Sequence, residues 1–152
     1  MIKMDITEIL KPECMTLELI ASDKISAIKE MITMLKNAGI VSDEAGMFEA
    51  VMAREGEFAT DVGFGIAIPH AQCQWVTESA VAFGRLPKDI NWSDQEEDSA
   101  IRMIFMIAVP LETQDEHLRI LAHIARRLMD EEVRQGILRA VDSQSIIEAL
   151  KS

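Results

Sequence analysis

The chain has 152 residues, 49% of them apolar and 27% charged, enough to bury one ordinary globular core without staples. A formal charge of −11 repels nucleic-acid phosphates and anionic membrane surfaces, and the longest apolar run, Met103 to Leu111, is too short to span a bilayer and contains Pro110. Two cysteines, Cys14 and Cys73, make no disulfide framework, and Asp5 and Glu8 stand where a secretory signal needs an apolar stretch, so a reducing cytoplasm is the expected setting.

No repeat, low-complexity segment or Pro/Gly/Ser-rich linker divides the chain, and residues 1–152 read as a single domain. From Cys14 to Ile20, Met15, Leu17 and Leu19 alternate with Thr16 and Glu18, the pattern of a strand with one buried face. Ser22 or Asp23 then caps a helix whose Ile25, Ile28, Ile32 and Leu35 keep helical spacing, and Gly39 is available for a left-handed C-cap. Ser42 opens a second helix through about Arg54, buried along Met47, Phe48, Val51 and Met52.

Residues Thr60 to Cys73, TDVGFGIAIPHAQC, form the stretch around which the rest is arranged. Gly63 and Gly65 give backbone freedom before the short apolar run Ile66-Ala67-Ile68, which reads as a buried strand. Pro69 has no N–H to donate, so the ladder stops there and His70 sits at the strand's end, where α/β proteins expose working groups. A functional histidine is the leading reading there, and a core or capping histidine satisfied by backbone is the alternative. Arg54 meets the helix dipole favourably on its own account, yet a guanidinium turned back to His70 would hold an oxyanion in a planar fork.

Ser79 to Leu86 reads as a strand followed by a turn at Pro87-Lys88-Asp89, and the acidic Asn91–Ser99 stretch as a solvated loop without calcium-loop spacing. Ile101 to Val109 is apolar at both parities, as in a central strand covered on both faces. Thr113 to Glu116, TQDE, has the capping-box pattern and puts His117 in the first turn of a helix, where the dipole favours a bound anion and a neutral imidazole. His123 falls six residues on, about 240° around that helix, and faces elsewhere. Two short helices broken near Ala140 complete the chain, the second capped by Ser143. The pair His70-x-x-Cys73 offers two metal ligands but no second cluster, so no metal is expected; Cys73 reads as a small hydrophobe.

Arg54-Glu55, Thr60, Gly63, Gly65-Ile66-Ala67-Ile68-Pro69-His70 and the later His117-Leu118 and Leu121-Ala122, in that order across nearly the whole chain, resemble the EIIA component of the bacterial phosphoenolpyruvate-dependent sugar phosphotransferase system, fructose/mannitol type. The resemblance implies a phosphotransferase of α+β class, a three-layer α/β/α sandwich around a small mixed sheet with the two histidines meeting at one end. It implies that His70 takes a phosphoryl group from the phosphocarrier HPr and passes it to a cysteine of an EIIB domain, with membrane EIIC served indirectly. His117 and Arg54 would then be its catalytic companions, with Thr60 supporting the phosphate; no cofactor or metal is implied. Positioning and charge stabilisation carry such chemistry. A regulatory relative, whose His70 phosphorylation state controls binding to target proteins, shares the same residues, and a ligand-binding module with structural histidines is a third reading. Phe64, Ile68 and Trp75 are candidates for a shallow apolar docking face. Neither the sugar nor the EIIB partner is legible.

Overall fold

The computed structural model describes residues 5–57, 60–92, 100–113 and 115–151. Its elements are α1 (Ile6–Ile9), β1 (Leu10–Thr16), α2 (Lys24–Asn37), α3 (Glu44–Glu57), β2 (Asp61–Gly63), β3 (Ile66–Ala67), β4 (His70–Cys73), β5 (Ala80–Asn91), β6 (Ala100–Pro110), α4 (Glu116–Leu128), α5 (Glu131–Arg139) and α6 (Ser143–Leu150). The sheet runs β1-β5-β6-β3-β2, with β4 also pairing β6. It is mixed: β1 is parallel to β5, β5 antiparallel to β6, β3 and β4 parallel to β6, and β2 antiparallel to β3.

Strand parity builds the layers. Ile104, Met106 and Ala108 of β6 and Ala80 and Ala82 of β5 pack beneath α2 and α3 with Ile28, Met31, Leu35, Met47 and Val51. Their odd-numbered neighbours Met103, Phe105, Ile107, Val81 and Phe83 pack on the opposite face with Ile6, Ile120, Ile124, Ile137 and Ile146. The result is the α+β sandwich that the resemblance implied, with β6 buried on both faces. Phe83 and Phe105 meet at 5.0 Å between ring centroids in the second layer.

Capping follows the aspartates. Asp5, Asp23, Asp130 and Asp142 cap α1, α2, α5 and α6, each accepting a backbone N–H of the first turn. Asp142 therefore caps α6 in place of Ser143, and the helix after Ser42 begins at Glu44, where Asp43 accepts the Gly46 N–H. Gly39 ends α2 at φ +81°, as its position predicts.

Four expectations need correction. The first strand runs Leu10–Thr16 rather than Cys14–Ile20. The apolar alternation does continue, but Leu19 leaves the ladder to pack over Gly84 while its N–H donates to the Arg85 carbonyl. The turn at Pro87 is a bulge inside β5: Arg85 faces Met103 and Ile90 faces Ile101, so four residues of β5 stand opposite one of β6. The capping box at Thr113 does not form: the Thr113 hydroxyl donates to the Pro110 carbonyl, and α4 begins on Asp115, left-handed at φ 55° and with no side-chain cap bond. Finally, the strand before His70 pauses rather than stops. Ile66 lies opposite Met103 and His70 opposite Ile107, so the register along β6 is unchanged across Ile68-Pro69 and His70 opens β4. Residues 93–99 of the acidic connection lie outside the described residues.

Gly84 lets Leu19 pack closely on β5: an added Cβ would lie 2.5 Å from Leu19 Cδ1 and 2.8 Å from its Cγ. Gly84→Ala is expected to lose about 1–3 kcal/mol in a urea titration through overpacking; an unchanged midpoint would contradict this packing.

Candidate functional site

The break at Ile68-Pro69 creates the site. Without an N–H at Pro69, β6 gains only the Pro69 carbonyl, which accepts the Ile107 N–H at 3.0 Å, while the Ile68 N–H turns away to the Thr60 carbonyl at 2.9 Å. The Ile68 carbonyl is left for a side chain. It accepts His70 Nδ1–H at 3.1 Å. A carbonyl only accepts and a guanidinium only donates, so the tautomer follows: Nδ1 carries the proton, and Nε2 accepts the Nε–H of Arg54 at 3.1 Å.

His70 shares a sheet face with Ile107 and so lies in the α4 layer, whereas Arg54 comes from the last turn of α3 in the other layer. They meet because β4 is short and its outer side is open. His117, in the first turn of α4, stacks on His70 with ring centroids 5.9 Å apart and planes inclined by 24°. Its Nδ1 is buried without a hydrogen-bond partner among the described residues. Ala50, Ala53, Arg54 and Glu57 share one stripe of α3, and the two alanines leave open a cleft of about 250 Å³ onto which His70, Gln72 and His117 also face.

Burial is the main cause that pulls the His70 pKa below its ordinary 6.5; the Ile68 hydrogen bond opposes it, and the positive charge of Arg54 adds to the lowering. The ring is therefore neutral near pH 7. Its lone pair at Nε2 faces two groups able to bind oxyanions.

Thr60 is not part of this cleft. Its hydroxyl and N–H both donate to Glu55, whereas Arg54, His70 and His117 line the cleft. Glu55 is the residue that sequence reasoning missed. Its carboxylate, 2% exposed, also accepts Trp92 Nε1–H at 3.3 Å and pairs with Lys24 Nζ at 2.8 Å, and that ammonium lies 5.0 Å from the Trp92 ring centroid. The network ties the end of α3, and Arg54 with it, to α2, to the end of β5 and to the start of β2. A signal was present in the chain: a carboxylate in the last turn of a helix opposes the dipole and needs compensation.

The other sequence candidates separate. Cys73 points to the α3 side, with Sγ 3.8 Å from Met47 Sδ, so it does not converge with His70 on a ligand. Among the described residues no three His, Cys, Asp or Glu side chains come together as a metal site. Ile68 is core and cannot form a docking face, and Trp75 is half-buried against Gly46. Phe64 is exposed at the β2–β3 turn, away from His70, with the Arg134 guanidinium 3.9 Å from its ring. His123 accepts nothing from the site; its Nε2 meets the Leu150 carbonyl at 2.7 Å at the end of α6.

Residues 8–152 match the family model described as "Phosphoenolpyruvate-dependent sugar phosphotransferase system, EIIA 2", and the chain belongs to that family. It is 38% identical over 146 residues to the PTS system fructose-specific EIIA component of Haloferax volcanii, covering 96% of this chain and 94% of that protein. Among solved structures it resembles the nitrogen regulatory protein IIA-Ntr of Neisseria meningitidis (TM-score 0.85, 26% identity, 95% of this chain and 98% of that one). It also resembles the mannitol enzyme IIA of Escherichia coli in complex with phosphorylated enzyme IIB (TM-score 0.79, 26% identity, 93% and 96%). Among the described residues no helix is long and apolar enough to cross a membrane.

Two outcomes follow. Glu55→Ala leaves the half-buried Lys24 ammonium and three donors, the Thr60 N–H and O–H and the Trp92 Nε1–H, without their acceptor, and is expected to cost about 3–5 kcal/mol in chemical denaturation; a loss under about 1 kcal/mol would show the network to be slack. For His70, the folded pKa lies below the unfolded 6.5, so as pH falls the unfolded chain takes up the proton first. Its contribution to stability is whole above pH 6.5 and is lost as pH falls through the folded midpoint. An NMR titration should place that midpoint below 6.5, and a midpoint above it would contradict the geometry.

Proposed function

We propose that this chain carries a phosphoryl group on Nε2 of His70, accepting it from phospho-HPr and passing it to a cysteine of an EIIB domain, in the cytoplasm and in the service of sugar or polyol uptake. One observation supports this above the others. His70 is held by its Nδ1–H on the Ile68 carbonyl while its other nitrogen, unprotonated, faces a cleft that Arg54 and His117 share. A neutral nitrogen of fixed direction is what phosphorus needs as a nucleophile, and the rest of the reaction is positioning and charge.

In the first step the Nε2 lone pair attacks phosphorus and the new N–P bond forms as the P–N bond to the donor imidazole breaks. The Arg54 N–H occupies that lone pair at rest, so the guanidinium yields it and turns its donors to the phosphoryl oxygens. His117 and the uncapped N–H groups of α4 add donors on the opposite side. In the second step the EIIB thiolate sulfur takes the phosphorus and the electron pair returns to Nε2. Thr60 serves the reaction through Glu55, which holds the end of α3 in place. The fructose-specific relative in Haloferax volcanii supports a transport role in a fructose-type route. The likeness to IIA-Ntr supports the alternative, a regulator whose phosphorylation at His70 controls binding to target proteins.

Incubation with phosphoenolpyruvate, enzyme I and HPr, followed by intact mass and site mapping, should give one acid-labile, alkali-stable addition at His70, absent from His70→Ala. His117→Ala should slow onward transfer to EIIB by about a hundredfold while uptake persists; normal transfer in that variant would remove His117 from the mechanism. Transfer to an offered EIIB domain favours transport, and its absence across EIIB domains favours regulation.

A further inference from the structure

We infer that Gln72 is a positioning residue for the phosphoryl transfer proposed above: its side-chain amide fixes where α4 begins, and thereby holds His117 over His70. The inference rests on that functional reading for its rate consequences, but its geometry stands alone.

The helix that carries His117 starts in an unusual way. Aspartate side chains accept first-turn N–H groups in α1, α2, α3, α5 and α6, whereas α4 begins on Asp115 in the left-handed region with no side-chain cap bond. No side-chain cap therefore helps to hold the first turn of α4. The connection from β6 is instead gripped from the neighbouring strand. Gln72 Nε2 donates to the Thr113 carbonyl, and lies 3.3 Å from the Pro110 carbonyl, 3.4 Å from the Leu111 carbonyl and 3.3 Å from Thr113 Oγ1. An amide has two N–H donors, and three of these four acceptors are carbonyl oxygens that can only accept. The nitrogen end of the amide must face them, and no residue without a donor could replace it.

Gln72 can do this because of where β4 places it. It lies two residues after His70 on the same strand, so both side chains leave the same sheet face, and Ala71 between them packs toward α3. The same four-residue strand thus presents the nucleophile and, one pleat along, the clamp on the loop that delivers the second imidazole. The Thr113 hydroxyl closes the arrangement by donating to the Pro110 carbonyl at 2.9 Å. His117 follows four residues after Thr113, and among the described residues its Nδ1 has no hydrogen-bond partner to hold the ring. Its stacking on His70 at 5.9 Å depends on the helix start, and the helix start on Gln72.

The test uses the whole chain with Gln72→Met, which keeps length and volume but donates nothing, and Gln72→Glu, which at neutral pH accepts but does not donate. Two readouts are taken. Without any donor protein, NMR cross-peaks between the ring protons of His70 and His117 report the stack; both variants should lose them while the His70 Nδ1–H resonance and the dispersed amide spectrum remain. With phospho-HPr and an EIIB acceptor, kcat should fall about ten- to a hundredfold with KM nearly unchanged, because the partner surface is intact and only a donor has moved. Wild-type ring contacts in Gln72→Met would overturn the inference, as would wild-type kcat in both variants. If the wild-type chain itself takes up no phosphoryl group, the functional reading fails, and the ring contacts alone then decide whether Gln72 positions His117.

Discussion

The hydrogen bond from His70 Nδ1 to the Ile68 carbonyl is the constraint on which the site depends. It exists because Pro69 interrupts the ladder to β6 without shifting its register, which frees one carbonyl and brings the next side chain back over it. A histidine in an unbroken strand would project from the sheet with either tautomer available. Here the proton is assigned to one nitrogen and the lone pair of the other is aimed outward at a fixed angle. The apolar surroundings that lower the pKa of the ring also keep that lone pair from being spent on a proton.

The remaining parts come from different layers of the sandwich and need their own anchorage. Arg54 arrives from the α2–α3 layer, His117 from the α4 layer, and they meet only because β4 is a short strand with an open outer side. Each is secured by a hydrogen-bonded polar group adjacent to it in the chain or in the fold. The Glu55 carboxylate joins α3 to Lys24, Thr60 and Trp92, and the Gln72 amide joins β4 to the start of α4. Both are hydrogen-bonded at several positions, the Glu55 carboxylate as a buried polar group requires, and neither touches the cleft's central space with a charge of its own. A site that must release as well as bind a phosphoryl group is better served by rigid supports than by extra cations.

How much of this could be read in the chain depends on the range of each interaction. The helix from Lys24 to Asn37 was legible with both ends, because Asp23 and Gly39 act on their immediate neighbours. The central strand was legible because burial on both faces leaves an apolar run at every position from Met103 to Val109. Arg54, His70 and His117 could be named from motif order, and the structure brings those three together. The failures are of longer reach. Leu19 continues an alternating pattern but belongs to a loop, since the surface it fills is made by Gly84 on another strand. Pro87 reads as a turn until β6 is seen to carry β5 past it as a bulge. Thr113 and Glu116 have capping-box identities, but the Thr113 hydroxyl finds a carbonyl three residues earlier. Nothing local to Thr60 tells that its hydroxyl donates to Glu55, and nothing local to Gln72 tells that its amide reaches a loop 41 positions away.

The most direct test of the central claim is the regiochemistry of the phosphorylated protein, read from long-range proton–nitrogen correlations of the His70 ring with phosphorus coupling. The account requires the phosphoryl group on Nε2, with Nδ1 still protonated and still donating to the Ile68 carbonyl. A phosphoryl group on Nδ1 of His70, or on any other residue, would mean that this hydrogen bond does not direct the chemistry.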